Sequence, residues 1–477
     1  MKERGRAWEK QPAITHDEVT AMSTYEAYLQ EHRDRHVQEL VEFLRIPSVS
    51  ALPKHAADVR RAAQWTADSL RRIGVPRVEI WETGGHPAVF GEWIVDEKLP
   101  TYLIYGHFDV QPVDPEHLWE TPPFEPTLKD GRLYARGAAD DKGCVFIPIK
   151  AVEALAAVDG RPPVNVKFLI EGEEEIGSPH LPGLLKARAE ELRCDAVLCA
   201  DGGFYRVQQP DITVGSRGIC ALQIDVKGAK GDLHSGSYGG AIQNPLHALA
   251  AIIASFRSPD GKVLVEGFYD DVRELTPREK EELARVPFDE AKFLAEIGVS
   301  EPFGEPGYST LERLWTRPTL EVNGMWGGFQ GEGTKTVLPS EAHAKITCRL
   351  VPDQDPQKVL DAIEAHVRKH TPPGVTVTVT KYAGSAPAYL MLPDHPVLEK
   401  AKAVLAEVYG EEPVLTRTGG TLPVAAMVKS ILKTDFIFFS FSDPDTQVHA
   451  PNEFFRLESF DKGVRCYVKL LNRLAER

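Results

Sequence analysis

Apolar residues recur at helical spacing between Tyr25 and Arg45, at Leu29, Val37, Leu40, Val41 and Leu44, and the run stops before Pro47. Short apolar runs follow at 78–81, 88–93, 101–105 and 164–170, interleaved with a helical stretch at 145–158. This alternation predicts a layered α/β domain. A further run at 196–200 predicts a buried strand leading into Asp201. From Val214 the texture changes. Segments 221–226 and 342–351 read as strands with alternating faces, 244–256 reads as a helix, and 272–308 is charged and broken by prolines. The pattern predicts a flexible extension over 1–23, a first domain over 24–213, an inserted α+β domain over 214–388, and the first domain resuming over 389–477.

Composition narrows the function. The 477 residues carry 55 Lys and Arg against 70 Asp and Glu, a net charge of −15. That field disfavours nucleic acid and anionic membranes as partners. Six cysteines are scattered without a Cys-x-x-Cys pair, and the start from Met1 to Lys10 is charged and lacks a secretory apolar core. A cytoplasmic location is expected. No glycine-rich phosphate loop of the required spacing is present, which disfavours nucleotide-dependent chemistry.

The chemistry-bearing residues gather where the predicted strands end, the place where open α/β sheets hold their ligands. His107 and Asp109 follow the run at 101–105; imidazole ligates zinc, and a nearby carboxylate can set its tautomer, although a strand-end cap uses the same residues. Asp140 and Asp141 lie in a glycine-flanked turn before a helix, where a carboxylate serves either to bridge two metals or to cap. In the acidic run 171–175, Glu171 and Glu173 fit a solvated loop, whereas Glu174 and Glu175 suit one general base beside one metal ligand. Asp201 and His449 each sit in a turn. Together with His107, Asp140 and Glu175 they make a mixed nitrogen and oxygen donor set suited to zinc or manganese.

These segments resemble those of the carnosinase and cytosolic nonspecific dipeptidase family of di-metal peptidases, related to aminoacylases, succinyl-diaminopimelate desuccinylases and glutamate-releasing carboxypeptidases. The resemblance runs from about Tyr25 to the C-terminus. It implies a di-metal peptidase catalytic domain with an inserted lid and dimerisation domain. By it, His107, Asp140 and Asp201 would hold one divalent ion, and Asp140, Glu175 and His449 a second; zinc is the first expectation, with manganese or cobalt also accommodated. Glu174 would be the general base, Asp109 would orient His107, and the Asp140–Asp141 peptide would be cis.

His234, in a glycine-rich loop, would cross a homodimer interface to steady the oxyanion in the partner's site. Thr336, Arg349 and Thr421, with His234 and His449, would hold the substrate, Arg349 gripping its C-terminal carboxylate. The expected substrate is a small dipeptide. The alternatives are an N-acyl- or N-succinyl-amino acid on the same scaffold, or an inert metal- or peptide-binding protein. Two departures bear on pocket shape. Ile176 stands where vertebrate members carry a polar residue, and Gly202-Gly-Phe204 replaces their asparagine and aromatic pair.

Overall fold

A computed structural model describes residues 16–391 and 393–476, the side chains of 16–23 excepted. The first helix, α1 (His16–Leu44), starts earlier than the apolar stripe predicts. Of the expected flexible extension, 1–15 lie outside the described residues, while 16–23 are helical. An apolar stripe reports which turns are buried. Residues 16–24 lack one, yet they contain no glycine or proline to stop a helix growing back from Tyr25.

The chain divides into two compact units. The first comprises the described residues up to Pro210 with Pro396–Pro413 and Phe438 onward. After α1 and α2 (Ala56–Arg72) come β1 (Arg77–Trp81), β2 (Ala88–Trp93) and β3 (Thr101–His107), then α3 (Lys142–Asp159), β4 (Asn165–Glu171) and β5 (Ala196–Cys199). They form a sheet ordered β1-β2-β4-β3-β5. β3 runs parallel to both β4 and β5, while β2 joins β4 antiparallel. Every residue of β4 is buried, as a central parallel strand covered on both faces requires. α3 is buried over most of its length and packs against β3, α1 and the final helix Leu457–Ala475. The final helix turns Leu457, Phe460, Val464, Tyr467, Leu471 and Leu474 inward at alternating three- and four-residue spacing.

The second unit comprises Asp211–His395 and Val414–Ile437. It contains β6 (Asp211–Ser216), β7 (Gly218–Lys227), β8 (Thr319–Gly327), β9 (Glu341–Leu350), β10 (Thr376–Lys381) and β11 (Val414–Thr418). An antiparallel sheet of order β8-β9-β7-β10 buries one face against α4 (Pro245–Ser255) and, further along the chain, the helix Pro356–His370. The alternating burial along β7 and β9 is the period-two pattern of a half-covered sheet.

The expected boundary at 389 needs correction. The chain returns to the first unit at Pro396 but leaves it again, because β11 pairs in parallel with β6 and keeps Val414–Ile437 in the second unit. The stretch 272–308 is more ordered than its prolines suggest. Pro277 opens α5 (Pro277–Arg285), where a missing N–H costs nothing, and Thr276 and Glu279 close a reciprocal capping box. A further helix spans Glu290–Ile297. Among the described residues no helix is long and apolar enough to cross a membrane.

Candidate metal centre

β3, β4 and β5 run in the same direction, so the chain leaving their carboxyl ends carries His107, Glu174 with Glu175, and Asp201 into one region of the first unit. The turn entering α3 adds Asp140, and the loop after Phe438 adds His449. Close backbone approaches enforce this geometry. A Cβ on Gly106 would lie 2.6 Å from the Asp141 carboxylate, and one on Gly143 would lie 2.0 Å from the Ala138 carbonyl.

The two oxygens of Asp140 face different histidines. Oδ1 lies 3.1 Å from His107 Nε2, and Oδ2 lies 2.9 Å from His449 Nε2. Asp201 Oδ2 is 4.0 Å from His107 Nε2, and Glu175 Oε2 is 3.2 Å from His449 Nε2. Two donor groups result, His107 with Asp140 and Asp201, and Asp140 with Glu175 and His449; within each, the donor atoms lie within 4.8 Å of one another. The Asp140–Asp141 peptide is cis, as the resemblance implies. His449 has a left-handed backbone, φ 59°, a conformation that side chains other than glycine adopt at a cost.

Supporting hydrogen bonds hold the donors in place. His107 Nδ1 donates to the Asp109 main-chain carbonyl at 3.1 Å, which leaves Nε2 facing the acidic cluster. The Asp109 carboxylate accepts the N–H groups of Glu174 and Glu175 at 3.2 and 3.1 Å. Gln111 Nε2 donates to Glu175 Oε2 at 2.8 Å. Asp141 makes no side-chain cap on α3; its carboxylate accepts the His107 N–H at 3.0 Å. Glu453, fully buried, accepts from the N–H groups of Gly137, Ala139 and Asp140 and pairs with Arg136 at 2.8 Å. The solvated-loop reading of Glu171 and Glu173 is wrong. Both are buried, Glu171 accepting from Tyr105 and Ser178 and Glu173 from the His86 N–H, because the run continues the buried strand β4 before it turns.

The electrostatics are those of crowded carboxylates. Burial, reinforced by Asp140 and Glu175, pushes Asp201 up to about 6 despite His107. Burial, reinforced by Asp201, Glu175 and Asp140, pushes Glu174 up to about 9 despite His107. Hydrogen bonds to Asp140 and Glu175 raise His449 to about 10. Asp140 is held well below the usual range by both histidines, against the opposing effect of burial. Three carboxylates and two imidazoles converge here, and this donor set fits a pair of divalent cations, Asp140 being common to both groups. The Glu174 carboxylate lies beside them and engages no hydrogen-bond donor among the described residues.

Residues 103–473 match the model of peptidase family M20/M25/M40. The chain belongs to that family. This peptidase is 32% identical over 458 residues to the Cys-Gly metallodipeptidase dug1 of Schizosaccharomyces pombe, covering 93% of this chain and 96% of that one. Among solved structures, it is similar to the M20 family metallo-carboxypeptidase Sso-CP2 from Sulfolobus solfataricus, with a TM-score of 0.78 at 33% identity, covering 92% of this chain and 99% of that one. It is also similar to human carnosine dipeptidase 1, with a TM-score of 0.73 at 30% identity, covering 96% and 99%.

The remaining expected residues of this M20 peptidase lie in the second unit. Leu233–His234 pairs with Val337–Leu338, and the Ser235 N–H donates to the Thr336 carbonyl at 3.0 Å, so His234 and Thr336 are neighbours. Both are exposed. Arg349 Nη1 donates to Thr421 Oγ1 at 2.6 Å, bringing those two together.

Proposed function

We propose that this M20 peptidase is a metal-dependent dipeptidase in which Glu174 is the general base and general acid. The observation that carries the reading is the placement of Glu174 beside two donor groups that share Asp140, with its carboxylate free of other donors. A site that only binds metal needs ligands but no unengaged base. His107, Asp140 and Asp201 would hold one divalent ion, and Asp140, Glu175 and His449 the other; zinc, manganese and cobalt all suit this donor mix. Ions held there supply Lewis acidity toward a water molecule and the scissile carbonyl.

Glu174 takes the proton of the attacking water and returns it to the leaving amine. Asp109 serves both steps from behind, fixing the His107 tautomer and the main chain that carries Glu174. Arg349, steadied by Thr421, holds the substrate's C-terminal carboxylate, and Thr336 lies beside His234. In a homodimer, His234 of one protomer would donate to the oxyanion in its partner's site. Six free cysteines support a reducing, cytoplasmic setting.

The test is hydrolysis of a panel containing Cys-Gly, β-Ala-His and N-acyl amino acids by chelator-stripped protein, before and after adding zinc or manganese. Dipeptide turnover is expected to return with metal and to fall roughly 10²–10⁴-fold in Glu174→Gln. Metal uptake with no dipeptide cleaved overturns the dipeptidase reading, and turnover of N-acyl amino acids alone replaces it with an amidohydrolase.

A further inference from the structure

A cavity of about 390 Å³ in the second unit has Arg349 in its wall, together with four other arginines and only two acidic residues. Two of the arginines are neutralised by those acids, Arg257 by Glu321 and Arg317 by Glu305. Arg313 donates to the main-chain carbonyl of Glu305. Arg217 and Arg349 differ from the paired residues. Among the described residues, no carboxylate lies within ion-pairing distance of either.

Arg217 is 9% exposed. Its Nε donates to the Gly419 carbonyl at 3.0 Å and its Nη1 reaches the Arg317 carbonyl only at 3.5 Å. Burial, and then the positive charge of Arg349, bring its guanidinium down to about 10, with Glu321 opposing them more weakly. A buried cation that faces a second cation and lacks a counter-ion is costly to hold. It becomes favourable when the ligand brings the missing negative charge, and a planar guanidinium fork matches a carboxylate.

We infer that this cavity is an acidic side-chain subsite: Arg349 takes the α-carboxylate of the substrate's C-terminal residue and Arg217 takes a second carboxylate on that residue's side chain. The enzyme's preferred class is then dipeptides ending in aspartate or glutamate. The inference rests on the dipeptidase reading for the placement of the α-carboxylate at Arg349. Arg217 also shapes the loop that carries Thr421, since its side-chain Nε holds the Gly419 carbonyl. The test must therefore separate recognition of a charge from support of a loop.

Ala-Glu and Ala-Gln are nearly isosteric and differ by one charge. The wild-type holoenzyme is expected to favour Ala-Glu by roughly tenfold or more in kcat/KM, mainly through KM, which is the scale of a hydrogen bond to a charged group. In Arg217→Gln the loss on Ala-Glu should exceed the loss on Ala-Gln by a similar factor, with partial recovery in Arg217→Lys. Equal losses on the two substrates assign Arg217 to the loop and overturn the inference, as does a wild-type enzyme with no preference. Calorimetric binding of the same two dipeptides to Glu174→Gln and to Glu174→Gln/Arg217→Gln, in which turnover is suppressed, keeps the questions apart. Failure to hydrolyse any dipeptide removes the dipeptidase reading, whereas equal affinity for Ala-Glu and Ala-Gln removes the subsite.

Discussion

The side chain of Asp109 has no exposed surface, and its two oxygens receive the N–H groups of Glu174 and Glu175 while its own carbonyl receives His107 Nδ1. One residue thereby sets the orientation of an imidazole and the path of the main chain carrying a candidate ligand and a candidate base. Asp109→Asn keeps the volume but offers one accepting oxygen where two are needed, and it turns an NH₂ group toward a buried N–H. A buried donor left unpaired costs about 1–3 kcal/mol. The expected outcome is metal affinity lower by roughly 10–100-fold, the usual consequence of disturbing groups behind metal ligands. Competition with a chromogenic chelator reads it directly. Affinity equal to wild type would mean that the placement of Glu175 does not depend on this carboxylate.

At the scale of elements, the strands of the first unit were legible because each is a short apolar run, and their carboxyl ends mark where His107, Glu174 and Asp201 emerge. The pairing of β11 with β6 was not legible. β11 joins residues some two hundred positions apart, and a five-residue strand carries no record of its partner. Glu453 was missed for a related reason. It follows His449 in what reads as a turn, and its role depends on three N–H groups that arrive from around residue 140. The burial of Glu171 and Glu173 was hidden by the general rule that charge runs are solvated.

The charged stretch at 272–308 likewise conceals an anchor. Burial raises the Glu279 carboxyl, yet hydrogen bonds from Arg273, the Thr276 N–H and Arg417 hold it well below the usual range. Arg417 lies on β11, so Glu279 ties α5 to the strand that leads to Thr421. Glu279→Gln leaves the buried guanidinium of Arg417 without its carboxylate and Arg273 with only the more distant Asp353, and is expected to destabilise the fold by about 3 kcal/mol. Because the folded group titrates below its unfolded value, the stabilisation is complete above about pH 4.3 and is lost progressively as pH falls below it. Denaturant melts of wild type and variant should therefore converge on acidification. A gap that stays constant with pH would assign the loss to packing.

For the whole molecule, the proposed mechanism makes the active unit a pair of chains. β8 forms one edge of its sheet and leaves Val322, Met325 and Trp326 40%, 45% and 37% exposed, an apolar edge of the kind that monomers usually protect and that a two-fold partner can cover. If His234 acts in the partner's site, a chain carrying His234→Ala retains its own Glu174 and lacks only what its neighbour supplies. A chain carrying Glu174→Ala can still supply it. Each variant alone is inactive, but a mixed dimer restores one complete site of two. Random exchange at equal amounts makes half the dimers mixed, so recovery should approach about a quarter of wild-type activity. Subunit exchange, verified with differently tagged chains, makes a negative result decisive: mixed dimers without activity would place His234 in the site of its own chain, and activity from His234→Ala alone would remove it from the chemistry.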